Sequence, residues 1–312
     1  MAGELITEDN QVQFGNLLMG PGTGYVIRRD GIEGWEDLPG FDATDVLRPG
    51  SDGAWQGDRY VGTRVVTVHV SIHPDNDPAG RSGEQLLRAL QLATRVHLPE
   101  QELTVRMRGQ SLVCWARINQ RITEALSTTW MVLGEVGLPL QFLATDPRRY
   151  SVLEESRMSG PPIRSAGLQY AAVGGIDRID YVAVGGVDRF DWGVDGSGGD
   201  IVATNSGTES TAPVVTFYGP CATPSVLLRH DEIDDMVLEY DLALVTGETL
   251  TVDARLGSVM LNGSSDRAYR VTAKSALLEE FLLPPGDSLL SFLPQSGEDP
   301  AAMSVAWRSA YL

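Results

Sequence analysis

Four histidines, two cysteines and 42 carboxylates are the groups from which a catalytic or metal site would be assembled, and their spacing builds none. His69 and His73 stand four apart at a strand end, a spacing that joins a zinc site only with a third ligand. His97 and His230 are the only other histidines, so a polar strand face is the simpler reading. Gly80-Arg-Ser82-Gly83-Glu84 puts its last glycine one place too early for the Gly-X-Ser-X-Gly turn that presents a nucleophilic serine. Gly20-Pro-Gly-Thr-Gly24 has the glycines of a phosphate loop but neither the Gly-Lys-Ser/Thr ending nor a ribose-binding acid downstream, and reads as a turn. Asp75-Asn-Asp77 opens like a calcium loop, yet Ala79 takes the fifth position and Leu86 the twelfth, where the bidentate acid belongs. Asp231, Glu232, Asp234 and Asp235 form the densest acidic cluster and read as a solvated loop. The expectation is a protein that is not an enzyme, with no metal and no cofactor.

Binding chemistry is better represented. Exposed aromatic rings beside polar groups make sugar-binding platforms on β-sandwiches. Trp192, Tyr218, Tyr240 and Trp307 are the candidates, of which Tyr218 and Trp307 lie inside alternating strands whose aromatics usually point to a core. Trp192 and Tyr240 therefore remain as glycan or partner contacts. Nucleic acid is an unsuitable ligand: the formal charge is −18, divided as −6 over residues 1–159 and −12 over 160–312, without a basic cluster to neutralise phosphates. Cys114 and Cys221 are too far apart for a Cys-X-X-Cys site and read as small buried hydrophobes. The opening residues lack the basic and apolar regions of a secretion signal, and no window has the roughly 18 uninterrupted apolar residues of a membrane span.

The elements follow from periodicity, and the fold class they imply is mainly β. Residues 11–14 and 17–19 flank Gly15-Asn16 as a hairpin, and Val66, Val68, Val70 and Ile72 share one face of a period-2 strand. Residues 83–96 change to helical spacing at Leu86, Leu87 and Leu90, with Ser82 as N-cap and Pro99 beyond the end. Alternating runs at 102–108, 111–120 and 130–142 complete an antiparallel sheet. Between Arg29 and Arg64 the chain is punctuated by Leu38-Pro39, Pro49-Gly50, Asp52-Gly53 and Gly57-Asp58, which predicts an extended surface loop. Residues 159–200 form a Gly/Asp-rich linker or β-arm containing an 11-residue repeat, Tyr170 to Asp180 and Tyr181 to Asp191, with Gly-Gly at the bends. From 201 to 312 short apolar runs at 212–218, 225–228, 236–240, 249–252, 258–261, 269–272, 281–283, 288–292 and 303–307 predict a β-sandwich.

The order of these parts resembles siphophage distal tail proteins. Arg29 to Ile32, Leu38-Pro39, Pro49 to Gly53 and the Gly-X-X-Tyr-X-Gly-X-Arg run ending at Arg64 match the N-terminal belt domain of that family, and Phe142, Ala144, Asp146, Pro147 and Tyr150 match its closing element. The runs starting at Asn205, at 213–221, 247–253 and 283–287, resemble the family's galectin-like C-terminal domain. The resemblance implies a belt domain over 1–158 that forms a homohexameric ring, and a galectin-like sandwich over 201–312. It further implies a structural hub at the distal end of the virion tail, assembled in the host cytoplasm. The implied partners are further copies of itself, the tail-tube protein, a tail-tip or tail-associated lysin protein and a receptor-binding protein. DNA passes through without being bound, and no membrane is entered. A monomeric carbohydrate-binding or adhesin module is the alternative, and a glycan-degrading tail enzyme a third reading.

Overall fold

The computed structural model describes residues 2–123, 136–162, 199–297 and 300–312, and between 170 and 189 the backbone of four short strands. It is mainly β. The chain divides into two compact units, Met1–Leu153 with Ala310–Leu312, and Glu154–Ser309.

The first unit is built on one antiparallel sheet. Its strands lie in the order Leu17–Met19, Gln11–Phe14, Gln101–Met107, Gln110–Arg121, Val136–Ala144, Arg64–Ile72, Tyr25–Glu33. Parity decides the core: Val66, Val68, Val70 and Ile72 are fully buried, while the intervening Val65, Thr67, His69 and Ser71 are not. Leu138, Leu140, Phe142 and Ala144 answer them from the neighbouring strand, and Phe142 stacks at 4.7 Å on Phe14. The helix spans Gly83–Ala93, with Ser82 and Gln85 closing a reciprocal capping box. Leu86 and Leu90 bury its apolar stripe against the sheet, and the Tyr25 hydroxyl donates to the Leu86 carbonyl at 2.8 Å. Each such side chain contributes about 1.5–3 kcal/mol by leaving water.

The closing element acquires a physical account. Phe142 and Ala144 end a buried strand, and Asp146 accepts the Tyr150 hydroxyl at 2.6 Å and the Arg148 amide at 3.1 Å, which fixes the turn through Pro147. Tyr150 then packs with Val113 and Ala310 in a small satellite core.

The second unit has two sheets around one core. Glu155–Ser159, Ala302–Trp307, Val214–Tyr218, Thr249–Asp253, Ser258–Leu261 and Ser265–Asp266 form one, and Asp200–Asn205, Gly286–Phe292, Ser225–His230 and Ile233–Glu239 the other. Phe217, Phe292, Leu250, Val305 and Met303 interdigitate between them. Asn205 is buried at the first turn, where its amide donates to the carbonyls of Glu209 and Leu283. Within the repeat, Tyr170–Val173 pairs antiparallel with Ile176–Ile179 and Val182–Val184 with Val187–Arg189, one strand pair in each copy.

Several expectations are corrected. Residues 155–158, assigned above to the first domain, pair with residues 304–307 in the second unit, and Ala310–Tyr311 pairs back to Arg149 and Tyr150 in the first. The second unit is thus an insertion between two paired strands of the first. Residues 269–272 are not a strand, because a 3-10 turn occupies Ala268–Arg270, and 281–283 contributes only an isolated bridge from Leu283 to Thr211. The loop expected after Arg29 is a hairpin arm.

Candidate assembly surface

The arm begins where the sheet strand Tyr25–Glu33 ends. Gly34 turns the chain at φ +76°, and a Cβ there would lie 2.0 Å from the Val65 carbonyl oxygen, so no other residue fits. Trp35 follows it into the core, with the Arg149 guanidinium 5.7 Å over its ring. Arg64, at the far end of the arm, is 1 % exposed. Its guanidinium donates to the carbonyls of Gly34, Trp35, Asp37 and Pro147 at 2.7–2.9 Å. Burial lowers its pKa, with the nearby Arg149 adding to the effect. One arginine therefore ties both ends of the arm to the turn after the strand Val136–Ala144. This gives the last position of the Gly-X-X-Tyr-X-Gly-X-Arg run a structural role.

Beyond this root the arm is a hairpin of two ribbons. Phe41–Ala43 pairs with Arg59–Val61, and Val46–Leu47 with Ala54–Trp55. Neither ribbon joins the main sheet. Phe41 opposes Val61 and Val46 opposes Trp55, yet all four are exposed, together with Tyr60, Leu38 and Leu47, the last at 81 %. Arg59 and Arg48 lie 5.7 and 5.9 Å over the Phe41 and Trp55 rings. A two-stranded hairpin is marginal in water without a third partner, and contiguous exposed apolar surface marks an interaction site.

A second feature of the same unit is a hollow of about 320 Å³ lined chiefly by Pro21, Val26, Ile27, Ile32 and Met107, with Arg28 at its margin. It lies beside the strand Tyr25–Glu33, whose outer edge no other strand of the described residues pairs with. The register of that strand against Arg64–Ile72 shifts between Ile27 and Ile32, a bulge over residues 28–31 with Gly31 at φ +72°.

The residues singled out from sequence are placed elsewhere. Tyr240 is 1 % exposed in the core of the second unit, where burial pushes its hydroxyl up to about 12, so it is no exposed platform. Its backbone bridges Val271, and its ring joins the core cluster of that unit. Trp192 lies outside the described residues. Trp307 is buried and donates through Nε1 to the Thr204 carbonyl, and Tyr218 is half-buried. The exposed aromatics of the described residues are Phe41, Trp55 and Tyr60 on the arm and Tyr269 on the second unit. The turn-rich composition of 34–63 hid the first three, and the clustering of Phe41, Val46-Leu47, Trp55 and Tyr60-Val61 in an otherwise polar stretch was the available signal.

The other clusters have ordinary partners. His69 Nε2 lies 3.4 Å from Glu33, and His73 Nε2 2.9 Å from the Ser71 hydroxyl. Asp77 is held by Arg81 through two hydrogen bonds that bring its carboxyl down to about 2. Asp235 pairs with Arg229 at 3.3 Å. Among the described residues no group of three or more His, Cys, Asp or Glu is placed to hold a metal. Burial pushes the Cys114 thiol up to about 12 and Cys221 to about 11, which leaves both protonated and unreactive at neutral pH. No helix of the described residues is long and apolar enough to cross a membrane.

No family model matches the sequence, and no curated protein matches it. Among solved structures, the chain is similar to the Dit protein of phage SPP1, described as a paradigm of the hub adsorption apparatus in phages infecting Gram-positive bacteria. The TM-score is 0.60 at 11 % identity, over 97 % of this chain and 99 % of that one. The phage P2 baseplate in its activated conformation with Ca, and that of phage p2 with Sr, match at 8 % and 9 % identity over 95 % of this chain and 96 % of theirs. Their TM-scores of 0.47 are too low to argue a shared topology.

Proposed function

We propose that this chain is a distal tail hub protein of a siphophage, a structural component that joins the tail tube to the adsorption apparatus. The observation that carries the reading is the likeness to the SPP1 hub protein along nearly the whole length of both chains, both units included. The arm supports it independently, because an exposed apolar hairpin on a rigid root belongs to a subunit of an assembly. In this reading the first unit is the belt domain and forms a homohexameric ring. The second is the galectin-like domain at its periphery, available to a receptor-binding protein, and the tube and tail-tip proteins stack on opposite faces of the ring. DNA passes through the lumen in transit, and the net negative charge favours passage without adhesion. The protein acts at the distal end of the virion and performs no catalytic step.

Native mass spectrometry with negative-stain imaging of the purified chain tests this. The expected result is a six-fold ring of about 202 kDa, six chains of 33.7 kDa. A monomer at 100 µM, or a ring of another order, overturns the hexameric hub.

A further inference from the structure

We infer that the arm of one copy seats on the hollow beside the edge strand Tyr25–Glu33 of the next copy, so that the ring closes through one repeated arm-to-edge contact. This deepens the hub reading and rests on it.

The occupant is a second copy because the two surfaces complement each other in the three respects an interface requires. The first is apolar surface: Phe41, Val46, Leu47 and Trp55 on the arm, Val26, Ile27, Ile32 and Met107 in the hollow. The second is charge. Asp42 and Asp52 on the arm are exposed carboxylates without an ion-pair partner among the described residues. Arg29 and Arg108, adjacent in the chain to the lining residues Arg28 and Met107, are exposed guanidiniums in the same condition. Over residues 38–62 the four aspartates Asp42, Asp45, Asp52 and Asp58 outnumber the two arginines Arg48 and Arg59, while at the hollow the three arginines Arg28, Arg29 and Arg108 outnumber Asp30, so the two surfaces carry opposite net charge. The third is backbone. Among the described residues no strand pairs with the outer edge of Tyr25–Glu33 or adds a third strand to either arm ribbon, and an added strand would use the edge beyond Tyr25, whose own backbone groups bond Gly20 and Thr23.

Size and reach agree. A stable interface uses about 20–30 residues a side, and the arm offers residues 38–62. Phe41 to Leu47 alone spans roughly 20 Å at the rise of a strand, enough to carry the tip well past its root. Arm and hollow are different patches of one chain, so the contact is heterologous. Repeated by rotation it closes a ring, and it needs no second kind of interface.

The experiment uses two full-length variants whose changes lie on exposed side chains. The arm variant is Leu47→Ser with Trp55→Ser, and the rim variant is Arg29→Asp with Arg108→Asp. Unchanged circular dichroism and Tm establish that each still folds. The expected result is that wild type forms the ring, each variant alone is monomeric, and an equimolar mixture gives a heterodimer of about 67 kDa, two chains of 33.7 kDa. That species forms because the rim variant keeps a sound arm and the arm variant keeps a sound hollow, leaving one productive contact. Restoring opposite charge by adding Asp42→Arg and Asp52→Arg to the rim variant brings back the ring. If wild type forms the ring and either variant also does, or if the mixture stays monomeric, the arm-to-edge contact is wrong while the hub reading stands. If wild type itself is monomeric at 100 µM, both fall.

Discussion

Two neighbouring stretches of this chain place apolar side chains on paired strands and send them to opposite fates. In Arg64–Ile72, Val66, Val68, Val70 and Ile72 are wholly buried, whereas in the arm just before it Phe41, Val46, Leu47, Trp55, Tyr60 and Val61 are exposed. Both are strands with paired backbones. The difference is that the first has strands on both sides and a helix on its face, while among the described residues the second has one partner strand and no layer above it. The sheet is completed within the chain. In the proposed function, the arm is completed by another copy.

That contrast can be broken or sharpened by substitution. Phe142→Ala in the completed sheet is expected to cost about 3–5 kcal/mol, read as a large fall in the urea midpoint, because it removes the ring stacked on Phe14 and leaves a cavity. Arg64→Ala comes next, at about 2–4 kcal/mol, since four carbonyls lose a charged donor. It should also make the arm a preferred site of limited proteolysis while the rest of the unit stays protected; an arm as resistant as in wild type would show that Arg64 does not anchor it.

Tyr150→Phe, which removes only the bond to Asp146, is expected to cost about 1 kcal/mol in the same urea titration. Asp77→Asn gives an effect of at least similar size with a distinctive pH dependence. The Asp77 carboxyl sits at about 2 in the folded chain, below its unfolded value of about 3.9, so its contribution is complete above pH 4 and is lost as pH falls towards 2. Wild type and variant should therefore differ in Tm at pH 6 and converge near pH 2. Smallest of all in stability is Leu47→Ser, expected within about 0.5 kcal/mol of wild type because the side chain is already in water. A large loss of monomer stability there would mean that the arm packs on its own chain, and the comparison would fail.

Local signals were legible from the sequence. The parity of residues 66–72, the Ser82 cap and the turn at Asp146-Pro147 each depend on residues close in the chain. The failures share a long-range cause. Tyr240 reads as an accessible aromatic until Val271 bridges across it, and residues 269–272 read as a strand until their neighbours curl into a turn. Residues 34–63 read as loop because turn-forming glycines and prolines recur through them, and the apolar pairs Val46-Leu47 and Ala54-Trp55 are too short to show a strand period. The return of Ala310–Tyr311 to the first unit has no local signature, since its partner strand is 160 positions earlier.

By itself the sequence determined the mainly β class, the position of the helix and the parity of residues 66–72, because these follow from periodicity and caps among near neighbours. It also supplied the apolar residues of the arm. Only the tertiary structure decided that those residues face outward, that Arg64 is buried as their anchor, and that Tyr240 is a core residue. Alternation says which side chains share a face. Which face is covered depends on strands and turns far away in the chain, and for the arm on whether any cover exists within the chain at all.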